Sequence, residues 1–130
     1  MRLWAKDCAG STAVDYAIIL PLLLMFVLGV ADAGRLMWAY GTLARAIDAS
    51  ARCAAVNAIN CGTALQVASY ASGQLWGVDA TPLSVTLTDA ACGKSVHGSY
   101  TFSFVTPFVW VALPFGAGNT LTLTVNACYP

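Results

Sequence analysis

Residues 10–31, GSTAVDYAIILPLLLMFVLGVA, form the stretch of sequence that decides the architecture of this chain. From Tyr16 to Ala31 no side chain carries a charge, and Leu, Ile, Met, Phe and Val dominate. As a helix, residues 11–31 would measure roughly 31 Å, which is close to the hydrocarbon thickness of a bilayer. We therefore predict a transmembrane helix over residues 11–33.

One carboxylate, Asp15, lies inside this predicted span. A charged side chain in hydrocarbon is unfavourable unless a partner compensates for it, so we expect Asp15 to have one. Pro21 lies in the same helix, and membrane helices tolerate proline where neighbouring groups satisfy the freed carbonyl. Asp15 is therefore the first candidate functional residue.

The composition argues against several classes of function. Charged residues make up 9% of the 130 residues and hydrophobic residues 58%, whereas soluble domains carry roughly 25% charged residues. The formal net charge is zero, which gives no reason to expect a nucleic-acid partner. The acids are all Asp, and His97 is the single histidine. Because there is no nucleophile–base pair and no zinc-ligand spacing, we expect no enzyme, no cofactor and no metal site.

The cysteines divide around the apolar stretch. Cys8 precedes it, whereas Cys53, Cys61, Cys92 and Cys128 follow it. An even set after a membrane segment is typical of disulfides in an oxidising compartment. Four cysteines allow three pairings, and the sequence alone does not choose among them. We favour Cys53–Cys61, which closes a short loop, and Cys92–Cys128, which would tie an inter-strand loop to the last strand.

The helical pattern continues beyond the membrane exit. Apolar residues recur there at steps of three and four: Leu36, Tyr40, Leu43, Ile47, Ala51 and Ala54. This stripe predicts one continuous helix over about residues 11–58, half of it in lipid and half covering a small domain. Asp32 and Arg35, like Asp48 and Arg52, are spaced to form ion pairs on the helix surface.

A second, shorter helix is expected in the head, which we place at residues 34–130. Thr63 has the side chain of an N-cap, and Gly77 follows the last helical position, Trp76. The residues expected to face inward are Leu65, Ala68, Ala71, Leu75 and Trp76. The head would thus contain two helical elements before any strand.

Three later stretches alternate between apolar and polar residues: 83–88, 95–104 and 120–126. Such alternation predicts an antiparallel sheet covered on one face, with Gly98 as a candidate bulge. The fold class is therefore α+β, with the long N-terminal helix packed on a three-stranded antiparallel sheet. Residues 106–118, TPFVWVALPFGAG, connect two strands and are apolar, and either pack on the head or contact a subunit or the membrane surface.

The N-terminal residues resemble a known family. The run GSTAVDYAIILPLLL, followed by GRLMWAY at residues 34–40 and ARCA at residues 51–54, is similar to the TadE-like proteins. These are minor pseudopilins of the tight-adherence (Flp-type) branch of type IV pilus systems. The resemblance is strongest over residues 10–58 and implies a pilin-like, membrane-anchored protein.

The resemblance also implies roles for four residues. A prepilin peptidase would remove the leader, residues 1–10, by cutting after Gly10, which leaves Ser11 as the new N-terminus. Asp15 and Tyr16 match the positions of the family's acid, normally Glu, and of the aromatic residue beside it. In pilin-like assemblies that carboxylate meets the free amine of a neighbouring subunit. Two opposite charges buried together are less unfavourable than one alone.

The implied setting is the bacterial inner membrane, with a single pass, a cytoplasmic N-terminus and a periplasmic head. The implied partners are the prepilin peptidase, other pilin or pseudopilin subunits and the pilus assembly machinery. An alternative hypothesis is that Ala31-Asp32-Ala33 is a signal-peptidase site. Cleavage after Ala33 would release a secreted, disulfide-bonded binding module. The position of Asp15 beside the apolar core, and the helical stripe that crosses this site, favour the membrane anchor.

Overall fold

A computed structural model describes residues 9–106 and 119–130 of the chain. The first element, α1 (Ala9–Val56), is a single helix of 48 residues. Two short helices follow, α2 (Ala58–Cys61) and α3 (Ala64–Gly73). One helix thus covers both the apolar stretch and the later stripe, as the periodicity indicated, and it ends two residues earlier than expected.

The N-terminal part of α1 projects away from the rest of the described chain. Its large apolar side chains between Val14 and Val30 are all exposed, and Pro21 lies inside it without ending the helix. By length and composition α1 is able to cross a membrane, and none of its most apolar segment is buried within the protein. A soluble core helix would be covered, so this arrangement fits a single-pass membrane protein.

The C-terminal half of α1 packs on a three-stranded antiparallel sheet. The strands are β1 (Leu83–Ala90), β2 (Gly93–Ser103) and β3 (Thr120–Tyr129), in the order β1-β2-β3. Ala91 and Cys92 form the two-residue connection between β1 and β2. The outer face of the sheet carries mostly Ser and Thr, and the inner face carries the apolar residues. The predicted α+β class is therefore confirmed.

The buried face of α1 differs from the expected stripe at one position. Leu43, Ile47, Ala51 and Ala54 are buried as predicted, whereas Tyr40 is 49% exposed. Ala39 takes the buried position instead. Successive helical residues lie about 100° apart, so a face that includes Ala39 and Leu43 turns Tyr40 toward its margin.

Gly98 lies at the centre of the contact between α1 and β2, and the prediction that it forms a bulge is wrong. The register runs without interruption, with Gly98 opposite Val85 on β1 and opposite Val125 on β3. A Cβ on Gly98 would overlap the side chain of Ile47 and touch Leu43. Glycine is therefore present because the helix approaches the strand closely here.

The inward face of α3 also differs from the prediction. Thr63 does cap the helix, in a capping box with Gln66. The buried residues are Val67 and Ala71, whereas Leu65 is 82% exposed and Trp76 is 75% exposed. Leu65 lies about 200° around the helix from Val67, and Trp76 lies beyond the end of α3.

Two disulfides close the head, and they join the same cysteines that the sequence favoured. Cys53 near the end of α1 is bonded to Cys61, with their Cα atoms 5.7 Å apart. Cys92 in the β1–β2 connection is bonded to Cys128 on β3, with a Cα separation of 6.2 Å. Cross-links of this kind stabilise a small head mainly by restricting its unfolded chain.

The close approach at Gly98 generates a stability prediction. The variant Gly98→Ala should destabilise the head by about 1–3 kcal/mol, because Ile47 has no room to move within a packed core. The measurement is equilibrium unfolding of the full chain in detergent, followed by near-UV circular dichroism with both disulfides intact. Gly41→Ala is the matched control, since a Cβ at this helical position meets nothing within 4 Å. The control should be neutral or stabilising, and equal effects of the two variants would contradict the packing argument.

Candidate functional site

The residues expected to act in processing and assembly lie together at the start of α1. Gly10 and Ser11 are in its first turn, and their side chains lie outside the described part of the structure. Asp15 and Tyr16 follow on the same helix and are exposed. In the segments 13–106 and 119–130, no ion pair involves Asp15. The leader segment 1–8 is likewise outside the described residues.

A second carboxylate on α1, Asp32, has the opposite environment. It is 3% exposed and accepts four hydrogen bonds. The backbone N–H groups of Val105 and Thr106 donate to its Oδ2 at 3.1 and 2.8 Å, and the Thr106 hydroxyl donates to the same oxygen at 2.5 Å. The Arg35 guanidinium donates to Oδ1 at 2.7 Å. These contacts satisfy the buried carboxylate and fasten the chain that follows β2 to the helix.

We call Asp32, Arg35, Val105 and Thr106 the Asp32 cluster. The sequence indicated only part of it. The pairing of Asp32 with Arg35 is present at the predicted spacing of three residues, and the Arg35 guanidinium also lies 5.4 Å from the centre of the Phe102 ring. Thr106 is 74 residues from Asp32, and no pattern in the sequence connects them. The other predicted pair, Asp48 with Arg52, is absent from the ion pairs of the described chain, because both side chains point into solvent.

A cavity of about 520 Å³ lies beside this cluster, between α1, the chain before β1 and the end of β2. We call it the membrane-exit cavity; the residues that matter in its wall are Ala31, Gly34, Arg35, Asp79, Tyr100 and Ser103. Trp38, which also lines it, donates from its indole N–H to the carbonyl oxygen of Trp76 at 2.9 Å. That bond holds the chain before β1 against the helix.

Two ionisable groups of the cavity have shifted pKa values. Hydrogen bonds from the hydroxyl and the backbone N–H of Thr81 hold the pKa of Asp79 below its usual range. Burial raises the pKa of Tyr100, and the nearby Asp79 charge raises it further, while Arg35 opposes the change. At neutral pH the cavity therefore presents a carboxylate, a guanidinium and a neutral phenol.

The described part of the chain contains no cluster of side chains typical of a metal site. His97 is exposed on the outer face of the sheet, on the strand that also carries Gly98. Within residues 9–106 and 119–130, no group of three or more His, Cys, Asp or Glu side chains is placed to hold a metal ion.

The class of protein that this structure defines is a small, disulfide-bonded α+β head carried on a long helix whose N-terminal, apolar part is uncovered. The model of the family described as TadE-like protein matches residues 10–52, which include Asp15, Tyr16 and Asp32. The N-terminal helix of this chain is thus similar to the TadE-like segment that this family model describes, as the resemblance indicated. Comparisons with curated proteins and with solved structures gave no match.

The Asp32 cluster generates a second stability prediction. Asp32→Asn should destabilise the head by roughly 2–4 kcal/mol, because the amide removes the charge and cannot accept all four hydrogen bonds. Thr106→Val, which removes only the hydroxyl, should have a smaller effect of about 1 kcal/mol. Equilibrium unfolding in detergent measures both. Asp48→Asn is the control, since Asp48 is exposed, and it should change the stability by less than about 0.5 kcal/mol. An Asp32 variant as stable as the control would rule out the cluster as a stabilising feature.

Proposed function

We propose that this chain is a membrane-anchored minor pseudopilin that takes part in assembling a tight-adherence (Flp-type) pilus or a related secretion filament. Its anchor would be residues 11–33, with the N-terminus in the cytoplasm and the head, residues 34–130, in the periplasm. The observation that carries the proposal is the uncovered apolar part of α1 with one carboxylate, Asp15, in a TadE-like segment. The role is structural and involves no reaction by this chain.

The environment of Asp15 explains why assembly would follow from this arrangement. Its side chain is exposed on a helix whose other residues suit lipid, so in a bilayer its charge would lack water. Cleavage after Gly10 would create an ammonium group on Ser11. When two such helices pack side by side, the ammonium of one meets the Asp15 carboxylate of the other, and both charges are compensated. Asp is one methylene shorter than Glu, so the two helices would need a closer approach.

The Asp32 cluster supports the anchored form over a secreted module. Cleavage after Ala33 would separate Asp32 from the head, and the backbone N–H groups of Val105 and Thr106 would lose their acceptor. It would also divide α1 in a region where the helix is continuous. A mature protein that begins at Gly34 would therefore lose one of the contacts that hold its sheet to the helix.

The mature N-terminus distinguishes the possibilities. We expect mass spectrometry of the protein from the membrane fraction to find Ser11 as the first residue. Gly34 would instead identify the secreted module, and an intact Met1 would identify an anchored protein that the prepilin peptidase does not process. Gly10→Leu is the companion variant, because a bulky residue at the cleavage site should leave the leader attached. Either alternative N-terminus would overturn the proposed processing.

Substitution of Asp15 tests the pairing directly. Asp15→Ala should insert and be processed normally but should assemble poorly, because the neighbour's ammonium would have no counter-charge in lipid. Recovery of the protein in sheared filaments or in cross-linked oligomers measures assembly. Asp15→Glu keeps the charge and should assemble at least as well as the natural chain, and Asp48→Ala controls for the loss of an exposed acid. Wild-type assembly by a processed Asp15→Ala protein would show that the pairing is not required.

A further inference from the structure

The membrane-exit cavity lies at the depth where lipid headgroups would meet the protein. The continuous run of exposed large apolar side chains on α1 extends from Val14 to Val30, and the cavity wall begins at Ala31; Met37, Trp38 and Tyr40 are exposed farther along the helix. Arg35 is five residues beyond Val30, or about 7.5 Å along the helix axis. The polar layer on each side of a bilayer is about 5–8 Å thick. The guanidinium therefore lies level with lipid phosphates when the apolar segment spans the bilayer.

The cavity presents two opposite charges that do not neutralise each other. The Arg35 side chain is 50% exposed, and only one of its nitrogens is bonded to Asp32. A guanidinium has five N–H donors, so others remain free to point into the cavity. Asp79 accepts hydrogen bonds from Thr81, and the ion pairs found in the described segments do not join it to Arg35. One wall thus offers donors for an anion and another offers an acceptor for a cation.

We propose that the membrane-exit cavity binds the headgroup of a zwitterionic phospholipid, with the phosphate at Arg35 and the ammonium at Asp79. The proposal rests on the proposed membrane anchoring, since the lipid would come from the bilayer that α1 crosses. The volume of about 520 Å³ lies within the roughly 300–1,000 Å³ usual for small-molecule sites. The Tyr100 ring and the Ser103 hydroxyl, which also line the cavity, add an aromatic face and a further donor.

The charge pattern favours a zwitterionic headgroup over an anionic one. An anionic lipid would satisfy Arg35 but would place a second negative charge near Asp79, with no cation between them. Phosphatidylethanolamine supplies a primary ammonium that donates hydrogen bonds, and so it matches a carboxylate acceptor better than a quaternary ammonium does. The lipid would fix the height and tilt of the head at the membrane, in addition to the anchoring by the helix itself.

The test is native mass spectrometry of the full chain, released from nanodiscs that contain equal amounts of phosphatidylethanolamine and phosphatidylglycerol. The natural chain should retain one phosphatidylethanolamine in preference to phosphatidylglycerol. Arg35→Gln and Asp79→Asn should each reduce this retention by roughly tenfold or more, since each removes a charge-assisted hydrogen bond. Arg45→Gln and Asp48→Asn are the matched controls on the same head, because neither residue lines the cavity, and they should retain the lipid as the natural chain does.

A charge reversal separates lipid recognition from a structural role. Asp79→Lys should shift the preference toward phosphatidylglycerol, whereas a variant that only loosens the fold would lose both lipids. Arg35→Lys should retain most of the phosphatidylethanolamine. This variant is the control for a folding defect in Arg35→Gln. If the natural chain retains both lipids equally, or if Asp79→Lys leaves the preference unchanged, the proposed site is wrong while the anchoring stands. If the chain leaves the bilayer during an alkaline carbonate wash, the proposed anchoring fails as well.

Discussion

The packing of one helix against one strand is the interaction on which the rest of this structure depends. Gly98 on β2 lets the Ile47 side chain of α1 approach the strand closely, and the nearby residues Leu43, Val96 and Tyr100 belong to the same buried core. The same helix carries the apolar segment whose length and composition suit a membrane. One continuous helix therefore extends from that segment into the core of the head. In a bilayer, the orientation of the head would follow from this contact, because α1 is continuous from the apolar segment into the head.

The strand runs in the opposite direction to the helix, which places different features at the two ends of the head. Gly98 lies against Leu43 and Ile47, and the chain after β2 reaches back to Asp32. The membrane end is therefore held by hydrogen bonds to a buried carboxylate. The far end is held by covalent links, with Cys53 near the end of α1 and Cys92 before the start of β2. The Asp32 hydrogen bonds and the close packing at Gly98 thus fasten the sheet to α1, whereas the disulfides join α1 to α2 and the β1–β2 connection to β3.

Three aspartates on α1 show how the environment assigns a role to one residue type. Asp15 is exposed on the apolar segment, and in lipid its charge would require a counter-charge. Asp32 is buried and satisfied by donors of its own chain, so it stabilises the fold. Asp48 is exposed to solvent, and we assign it neither an assembly role nor a role in stabilising the fold. The assembly role that we propose belongs to the first of these carboxylates, because no ion pair within residues 13–106 and 119–130 involves it.

Local patterns in the sequence were sufficient for the long helix, the three alternating strands, the Thr63 cap and the pairing of Asp32 with Arg35, because each depends on residues a few positions apart. The TadE-like segment was recognisable for the same reason. Only the tertiary structure decided that Gly98 is a point of close approach, that Tyr40 and Leu65 face outward, and that Asp32 binds Thr106. The membrane-exit cavity likewise unites residues from α1, from the chain before β1 and from β2. Contacts between distant segments depend on how the elements rotate and approach when they pack, and hydrophobic periodicity does not specify that rotation to within one residue.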